Sequence, residues 1–403
     1  MQDTLSKLKK EYALMPKEAL EDISKRRKQL FIGLPKNIDA QEKRVPLTPN
    51  SVATLVSQGH RVLFESDAGL NANFEDAMYL NAGAELCPQK EDVFKANIVL
   101  KVEPLAAEEF KYMQPNQTLI APIFLPKVQK NQIKVLLDKK ITALAWEYIK
   151  NEYNVNPFMQ SMSEIAGNYA IILAAKYMSI EHGKGILLGG IIGQPPSKVL
   201  IIGAGRVGES AAQAALGFGA QVQIFDDNLH KLATVQKNLN NKVYTSVLDT
   251  LTLKKNIERA DVVIGALAPK NGYTPKVVTE QMVLGMKKGA VIIDVSIDHG
   301  GCIETSQVTG HENPIFVKHG VIHYGVPNIS SAVSRTASYA ISNIITPLLK
   351  QAAQGGGLEQ EIKYNVGLRH GTYIYKGHIT KNFIAEKFDL RYTDLDLVMA
   401  ADF

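Results

Sequence analysis

Six residues, Gly203-Ala204-Gly205-Arg206-Val207-Gly208, have G-x-G-x-x-G spacing and stand between a strand-like run, KVLII, and an alanine-rich helical run. The first glycine permits a tight turn, the second lets backbone amides approach a pyrophosphate, and the third allows close packing of helix on strand. The phosphates would then meet the exposed amides of a helix N-terminus. Asp226 closes the next strand-like run, AQVQIFD, 18 residues beyond Gly208. A carboxylate there accepts hydrogen bonds from both ribose hydroxyls and repels a 2′-phosphate, so the expected cofactor is NAD rather than NADP. Asp227 adds a second negative charge beside it. The bland alternative, a glycine turn without a ligand, would leave strand, fingerprint, helix and acid in register by chance.

Two cations stand where a small anion could be held. Arg44 lies in EKRVPLTP, between the first strand-like run and a helix, and Lys101 ends the run IVLKV. Ligands of open α/β sheets gather outside the carboxyl ends of strands. An arginine there can grip a carboxylate through two parallel hydrogen bonds, and a lysine can polarise a carbonyl. The pair suggests a small anionic substrate; exposed basic side chains at strand ends are the competing reading.

Asp294 and Asp298 lie in AVIIDVSIDHGG. Asp298 is the candidate to face a nicotinamide or a substrate nitrogen, with Asp294 a cap. His299 adjoins Asp298 and is a candidate acid or base. His323, in the apolar run VIHYGV, reads as a satisfied core residue, and Trp146 as core packing. His311, His319 and His370 lack metal-ligand spacing and read as surface residues, so no metal is expected.

The elements that must carry these residues alternate in period. From Leu30 the chain runs FIGL, the helix NSVATLVSQG, the strand HRVLFES, a helix near Phe74 to Ala82, then NIVLKV, TLIAPIF, KNQIKVLLDKK and ITALAWEYI. Strands alternating with helices argue for a parallel sheet. A long apolar-faced helix opened by Ser163 and Glu164 leads into a second series: KVLIIGAG, VGESAAQAALGFG, AQVQIFD, ADVVIGAL and AVIIDVS. The expected fold is α/β, two Rossmann-like doubly wound domains with a cleft between them. Residues 29–157 plus 335–403 would form a substrate domain and residues 158–334 the nucleotide domain, with the tail returning to complete the first. Residues 1–28, charged and interrupted at Pro16, read as a helical extension or arm.

Bulk properties agree with that plan. At 403 residues the chain is long enough for about two or three domains. Its 45 basic and 40 acidic residues leave a charge of +5, which calls for no nucleic acid. Cys87 and Cys302 lie far apart without a CxxC partner, as in a reducing cytoplasm. The N-terminus lacks the apolar run of a signal peptide, and the most apolar stretch, near Ile186 to Ile202, is interrupted by glycine, proline and lysine, so no membrane association is expected.

EKRVPLTP, HRVLFESDAG, IVLKVEP, the SMSEIAG helix, LIIGAGRVGESAAQAALGFGA with Asp226, IIDVSIDHGGCIET, HGVIHYGVPN and the SRTAS segment together resemble the alanine dehydrogenase and pyridine nucleotide transhydrogenase family. The likeness spans about residues 30 to 350 in unbroken order. It implies that Arg44 and Lys101 bind the substrate carboxylate and keto group, and that Asp298 is the active-site acid beside the nicotinamide. For NAD it implies Ser163, the loop Gly203, Gly205, Arg206, Val207 and Gly208, then Asp226, Lys231, Ala266, Leu267, Val295, Asp298 and Asn328. It also implies a homo-oligomer, commonly a hexamer; the first 28 residues have no counterpart in the pattern.

One departure stands out. Alanine dehydrogenases carry a catalytic histidine in the segment that here reads LIAPIFLPKV, with Phe124 and Leu125 in that place. This segment and PPSKV look closer to the transhydrogenases, whereas IDHGG retains the alanine dehydrogenase aspartate. The activity implied is reversible NAD-dependent deamination of L-alanine to pyruvate and ammonia. An NAD(H)-binding transhydrogenase-like subunit, or a dehydrogenase of another amino or imino acid, is the alternative.

Overall fold

The computed structural model describes residues 28–269 and 272–401. The extension expected over residues 1–28 lies, as far as residue 27, outside the described residues. The chain divides into two compact units: the described residues up to Met159 together with those from Ser334 onward, and Gln160–Val333.

The first unit begins with β1 (Phe31–Leu34), α1 (Pro49–Ser57), β2 (Arg61–Glu65), α2 (Asp76–Asn81), β3 (Glu85–Cys87), α3 (Lys90–Val93) and β4 (Ile98–Leu100). It continues through β5 (Thr118–Ile120), α4 (Lys130–Asp138) and β6 (Thr142–Leu144). β4, β5 and β6 are buried along their whole length, as strands covered by helices on both faces must be. α1 starts at Pro49, whose fixed φ suits the first helical position. The run TLIAPIF pairs only as far as Ile120, just short of Pro122, which has no N–H to donate.

α5 (Pro157–Tyr177) leads into the second unit. Here β7 (Lys198–Ile202), α6 (Arg206–Gly217), β8 (Gln221–Asp226), α7 (Leu229–Asn238), β9 (Tyr244–Val247), α8 (Thr250–Ile257) and β10 (Val262–Gly265) follow in turn. α9 (Glu280–Leu284), β11 (Val291–Asp294), β12 (Ile315–Lys318) and β13 (Val321–Tyr324) complete it. Alternate residues of each central strand go to opposite cores. Val199, Ile201, Val262 and Ile264 pack with Ala170, Ala211 and Ala215 on one face, and Leu200, Ile202, Val263 and Ile292 pack with Leu253, Ile257 and Met282 on the other.

After Val333 the chain returns to the first unit as α10 (Ser334–Gln354), α11 (Leu358–Tyr364), α12 (Val366–Gly371), β14 (Thr372–Tyr375), β15 (His378–Ile379), α13 (Asn382–Phe388) and α14 (Leu395–Ala401). β14 pairs antiparallel with β6, so the tail extends the first sheet. The order there is β15-β14-β6-β5-β4-β1-β2-β3; in the second sheet it is β12-β13-β11-β10-β7-β8-β9. Both are parallel apart from β14, β15 and β12 at the ends. In each, the strand order reverses beside the first strand, between β1 and β4 and between β7 and β10. Ligands of doubly wound sheets bind at such switch points.

Candidate nucleotide and substrate sites

The glycine loop opens at the β7–β10 switch point. Gly203 has φ +114°, and a Cβ on it would lie 2.3 Å from the Ala266 carbonyl oxygen. A Cβ on Gly208 would lie 1.9 Å from the Gly203 carbonyl oxygen. Neither position accepts a side chain. Gly205 differs: nothing stands within 4 Å of where its Cβ would be, and it is the residue that caps the twelve-residue α6. Open space over a helix N-terminus is the cradle a pyrophosphate needs, so these residues fit a dinucleotide. Arg206, about half exposed, pairs with Glu209 at 3.5 Å, and Val207 offers its carbonyl oxygen 2.4 Å from where a Cβ on Gly167 of α5 would lie. Ser163 stands one helical turn before Gly167, on the same side of α5.

Asp226 ends β8 almost fully buried, at 2% exposure. One carboxylate oxygen accepts the Ala204 N–H at 2.7 Å and the other the Asn228 N–H at 2.8 Å. The acid therefore braces the glycine loop, and each oxygen keeps a further lone pair for a hydroxyl. Asp227 and Lys231 are exposed.

Ala266 and Leu267 follow β10, where the Leu267 carbonyl accepts the Ser296 hydroxyl at 3.0 Å. Asp294 ends β11 and accepts the N–H groups of Ser296 and Cys302, both at 3.1 Å. Burial pushes its carboxyl above the usual range. It caps the turn that carries half-buried Val295 and exposed Asp298, which is the capping role expected of it. Asp298 accepts the Asn328 N–H at 2.7 Å across 30 residues of sequence. Asn328 has φ +53°, a conformation asparagine tolerates better than most residues. His299, partly exposed, sits in the same turn.

In the first unit Arg44 and Lys101 follow β1 and β4, the strands that flank its switch point. Neither is an exposed base. The Arg44 side chain is 12% exposed, and Glu42 grips it at 2.8 Å through Nε and 2.5 Å through Nη2. Lys101 is wholly buried: its ammonium lies 2.6 and 2.7 Å from the oxygens of Glu109 and 3.1 Å from Glu103. Glu103 also accepts the N–H groups of Ile38 and Asp39, at 2.6 and 3.1 Å. The loop so held returns to Arg44, whose carbonyl accepts from Asn37 at 2.8 Å. One carboxylate thus ties Lys101 to the loop bearing Arg44. Lys90 extends the cluster, 3.4 Å from Glu109 and 3.9 Å from Glu65, whose carboxyl burial pushes upward.

The reading of these cations as solvated strand ends is corrected for a physical reason: a charge leaves water only where opposite charge meets it. Motif and periodicity do not single out Glu42, Glu103 and Glu109 as the partners of these cations. The only local signal was the short spacing of Glu42 to Arg44 and of Lys101 to Glu103.

Phe124, which the resemblance sets against a catalytic histidine, has φ +39°. The N–H groups of Ile123 and Phe124 both donate to one oxygen of Glu147, at 2.9 and 3.1 Å. Burial raises the Glu147 carboxyl. His323 is a core residue, 1% exposed, bonded through Nε2 to Thr305 at 2.8 Å and through Nδ1 to the Val321 carbonyl at 3.0 Å. Trp146 is buried against Phe158. Among the described residues no His/Cys/Asp/Glu group is placed to hold a metal, and no helix is long and apolar enough to cross a membrane.

A Rossmann unit with an acid-braced glycine loop, joined to a second parallel α/β unit, defines a two-unit dinucleotide-binding protein. The alanine dehydrogenase/PNT N-terminal domain model matches residues 33–166 and the C-terminal domain model residues 170–382. The chain belongs to the alanine dehydrogenase/PNT family. It is 38% identical over 373 residues to an alanine dehydrogenase of Staphylococcus haemolyticus, covering 92% of this chain and 100% of that one. An alanine dehydrogenase of Methanococcus maripaludis is 40% identical, covering 90% and 98%. A solved L-alanine dehydrogenase superimposes with TM-score 0.82 at 35% identity, covering 89% of this chain and 99% of the other. A solved transhydrogenase from Sinorhizobium meliloti, at 22% identity and TM-score 0.73, shares the fold.

Proposed function

We propose that this chain is an NAD-dependent L-alanine dehydrogenase. It interconverts L-alanine, NAD and water with pyruvate, ammonium, NADH and a proton. The observation that carries the reading is the loop at Gly205, open where a pyrophosphate would lie and braced by Asp226, in a chain 38% identical over nine-tenths of its length to a curated alanine dehydrogenase.

When bound, NAD supplies the acceptor for the hydride of the substrate α-carbon. The amides opening α6 receive the diphosphate and Asp226 the adenosine ribose, with Ser163, Arg206, Val207, Lys231, Ala266, Leu267, Val295 and Asn328 around it. Arg44 receives the substrate carboxylate, its guanidinium plane set by Glu42. Lys101 is the fixed positive charge that favours electron density on the keto oxygen, and the Glu109 carboxylate fixes its position. Asp298 moves the protons, its carboxylate held by the Asn328 amide.

The same reading makes the enzyme cytoplasmic and a homo-oligomer, with a hexamer the expected form. Both cysteines are free and buried, which suits a reducing compartment. Ile180, Leu187, Ile191 and Ile192 stand 64–105% exposed on one short stretch, apolar surface of the kind that subunit contacts cover. Light scattering on the full chain tests assembly; a monomer at micromolar concentration would end that part. The activity is tested by NADH formation with NAD and a panel of L-amino acids. Turnover of alanine above the rest is expected, and an inert panel removes the dehydrogenase reading.

A further inference from the structure

The SRTAS run opens α10, the helix by which the tail returns to the first unit. Its start is tied to the turn after β2: the Ser334 hydroxyl donates to the Asn71 carbonyl at 3.0 Å and the Arg335 guanidinium to the Asn73 carbonyl at 2.6 Å. Ser338, wholly buried one turn further on, makes two bonds of another kind. Its hydroxyl donates to the Ser334 carbonyl at 2.7 Å, and its oxygen accepts the Val45 N–H at 2.9 Å. Spending its one hydrogen on its own helix leaves only lone pairs to meet the facing segment, so the hydroxyl is an acceptor there. Ser342, the next turn along, serves a different place. It accepts the Thr48 N–H at 3.0 Å and donates to the Ser51 hydroxyl at 2.7 Å, at the start of α1.

The Arg44 carbonyl and the Val45 N–H belong to one planar peptide unit. Asn37 donates to that carbonyl at 2.8 Å, and Ser338 accepts that N–H from 293 residues away. The plane is pinned on both edges, and with it the direction in which the Arg44 side chain leaves the backbone. We propose that Ser338 is a positioning residue for substrate binding: it fixes the peptide plane from which Arg44 reaches the substrate carboxylate, a role that rests on the reading of Arg44 given above. Val45 is buried, so without the hydroxyl its N–H has no water to turn to. The peptide rotates to find an acceptor, and a guanidinium that must meet a carboxylate with two parallel bonds moves with it. The return of the tail then completes the substrate site as well as the sheet.

Steady-state kinetics of the full-length chain with L-alanine and NAD test this. Ser338→Ala is expected to raise KM for L-alanine about tenfold, while kcat and NADH affinity stay within about twofold of wild type. Ser342→Ala loses a buried hydrogen bond of the same helix, but at the start of α1, and is expected to keep the wild-type KM. In an Arg44→Lys background the Ser338 substitution should add less than about twofold, because it acts through the guanidinium. Should Ser338→Ala not fold, Ser338→Cys, close in volume and a weak acceptor, takes its place with the same expectation. A wild-type KM in the Ser338 variant, an equal rise in Ser342→Ala, or full additivity with Arg44→Lys overturns the inference and leaves Arg44 at the substrate site. A wild-type KM in Arg44→Lys itself, or a wild-type chain inert toward L-alanine, brings down both.

Discussion

The ammonium of Lys101 lies between the two oxygens of Glu109, at 2.6 and 2.7 Å, and both side chains are fully buried. Removing one partner strands the other charge in the interior. Glu109→Ala is therefore expected to lower unfolding free energy by about 3–5 kcal/mol in urea melts. The exposed Arg61–Glu85 pair, equally short at 2.6 Å, is the control: Arg61→Ala should leave the midpoint where it was. Equal losses from the two variants would contradict the burial argument.

Arg44 is expected to hold the amino acid and not the nucleotide. Arg44→Lys keeps the charge and loses the planar fork, so kcat/KM for the amino acid should fall about ten- to a hundredfold, mainly through KM. NADH affinity should stay within about twofold. A loss that falls on NADH binding would remove Arg44 from the substrate site.

Two glycines of one loop should fail in different ways. Gly203→Ala forces a Cβ against the Ala266 carbonyl at positive φ, and should cost on the order of 2 kcal/mol of stability. Gly205→Ala meets no protein atom. Its thermal midpoint should match wild type while NADH affinity drops at least about tenfold. Undiminished affinity in Gly205→Ala would mean that no diphosphate passes there.

The resemblance sets Phe124 against a catalytic imidazole. Its left-handed backbone and its N–H bond to Glu147 do not depend on the phenyl ring. Phe124→His is expected to raise kcat by at least about tenfold and to add a pH dependence near the ordinary imidazole pKa of about 6.5. Unchanged turnover and an unchanged pH profile would show that this chain handles its protons without that position.

His323 links pH to stability. Burial lowers its folded pKa to about 4 from 6.5. Between those values the unfolded chain holds the extra proton, so stability is full above pH 6.5 and is lost as pH falls toward 4, by an amount of order 3 kcal/mol. Urea unfolding at pH 7 and pH 5 measures the slope. His323→Gln should flatten it, and a slope identical to wild type would assign the acid sensitivity elsewhere.

The readings that succeeded on the sequence are those whose causes lie close together along the chain. Gly203 to Gly208 and the strand and helix around them span one βαβ unit, and the capping role of Asp294 involves Ser296 and Cys302, two and eight residues away. His323 and Trp146 read as core because their neighbours in sequence are apolar. The strand in TLIAPIF is shorter than its apolar run, because hydrophobic pattern does not report where pairing stops.

What the sequence determined by itself was the alternation of strand and helix, the glycine loop and the acid that ends the next strand, because short-range sterics and periodicity specify these. Only the tertiary structure decided that Lys101 is fully buried between Glu103 and Glu109, that Glu103 also ties down the loop leading to Arg44, and that Asp298 meets Asn328. Those pairings depend on strand order, which brings β1 beside β4, and on the need of every buried charge for an opposite one. Neither is written in the spacing of residues along a single segment.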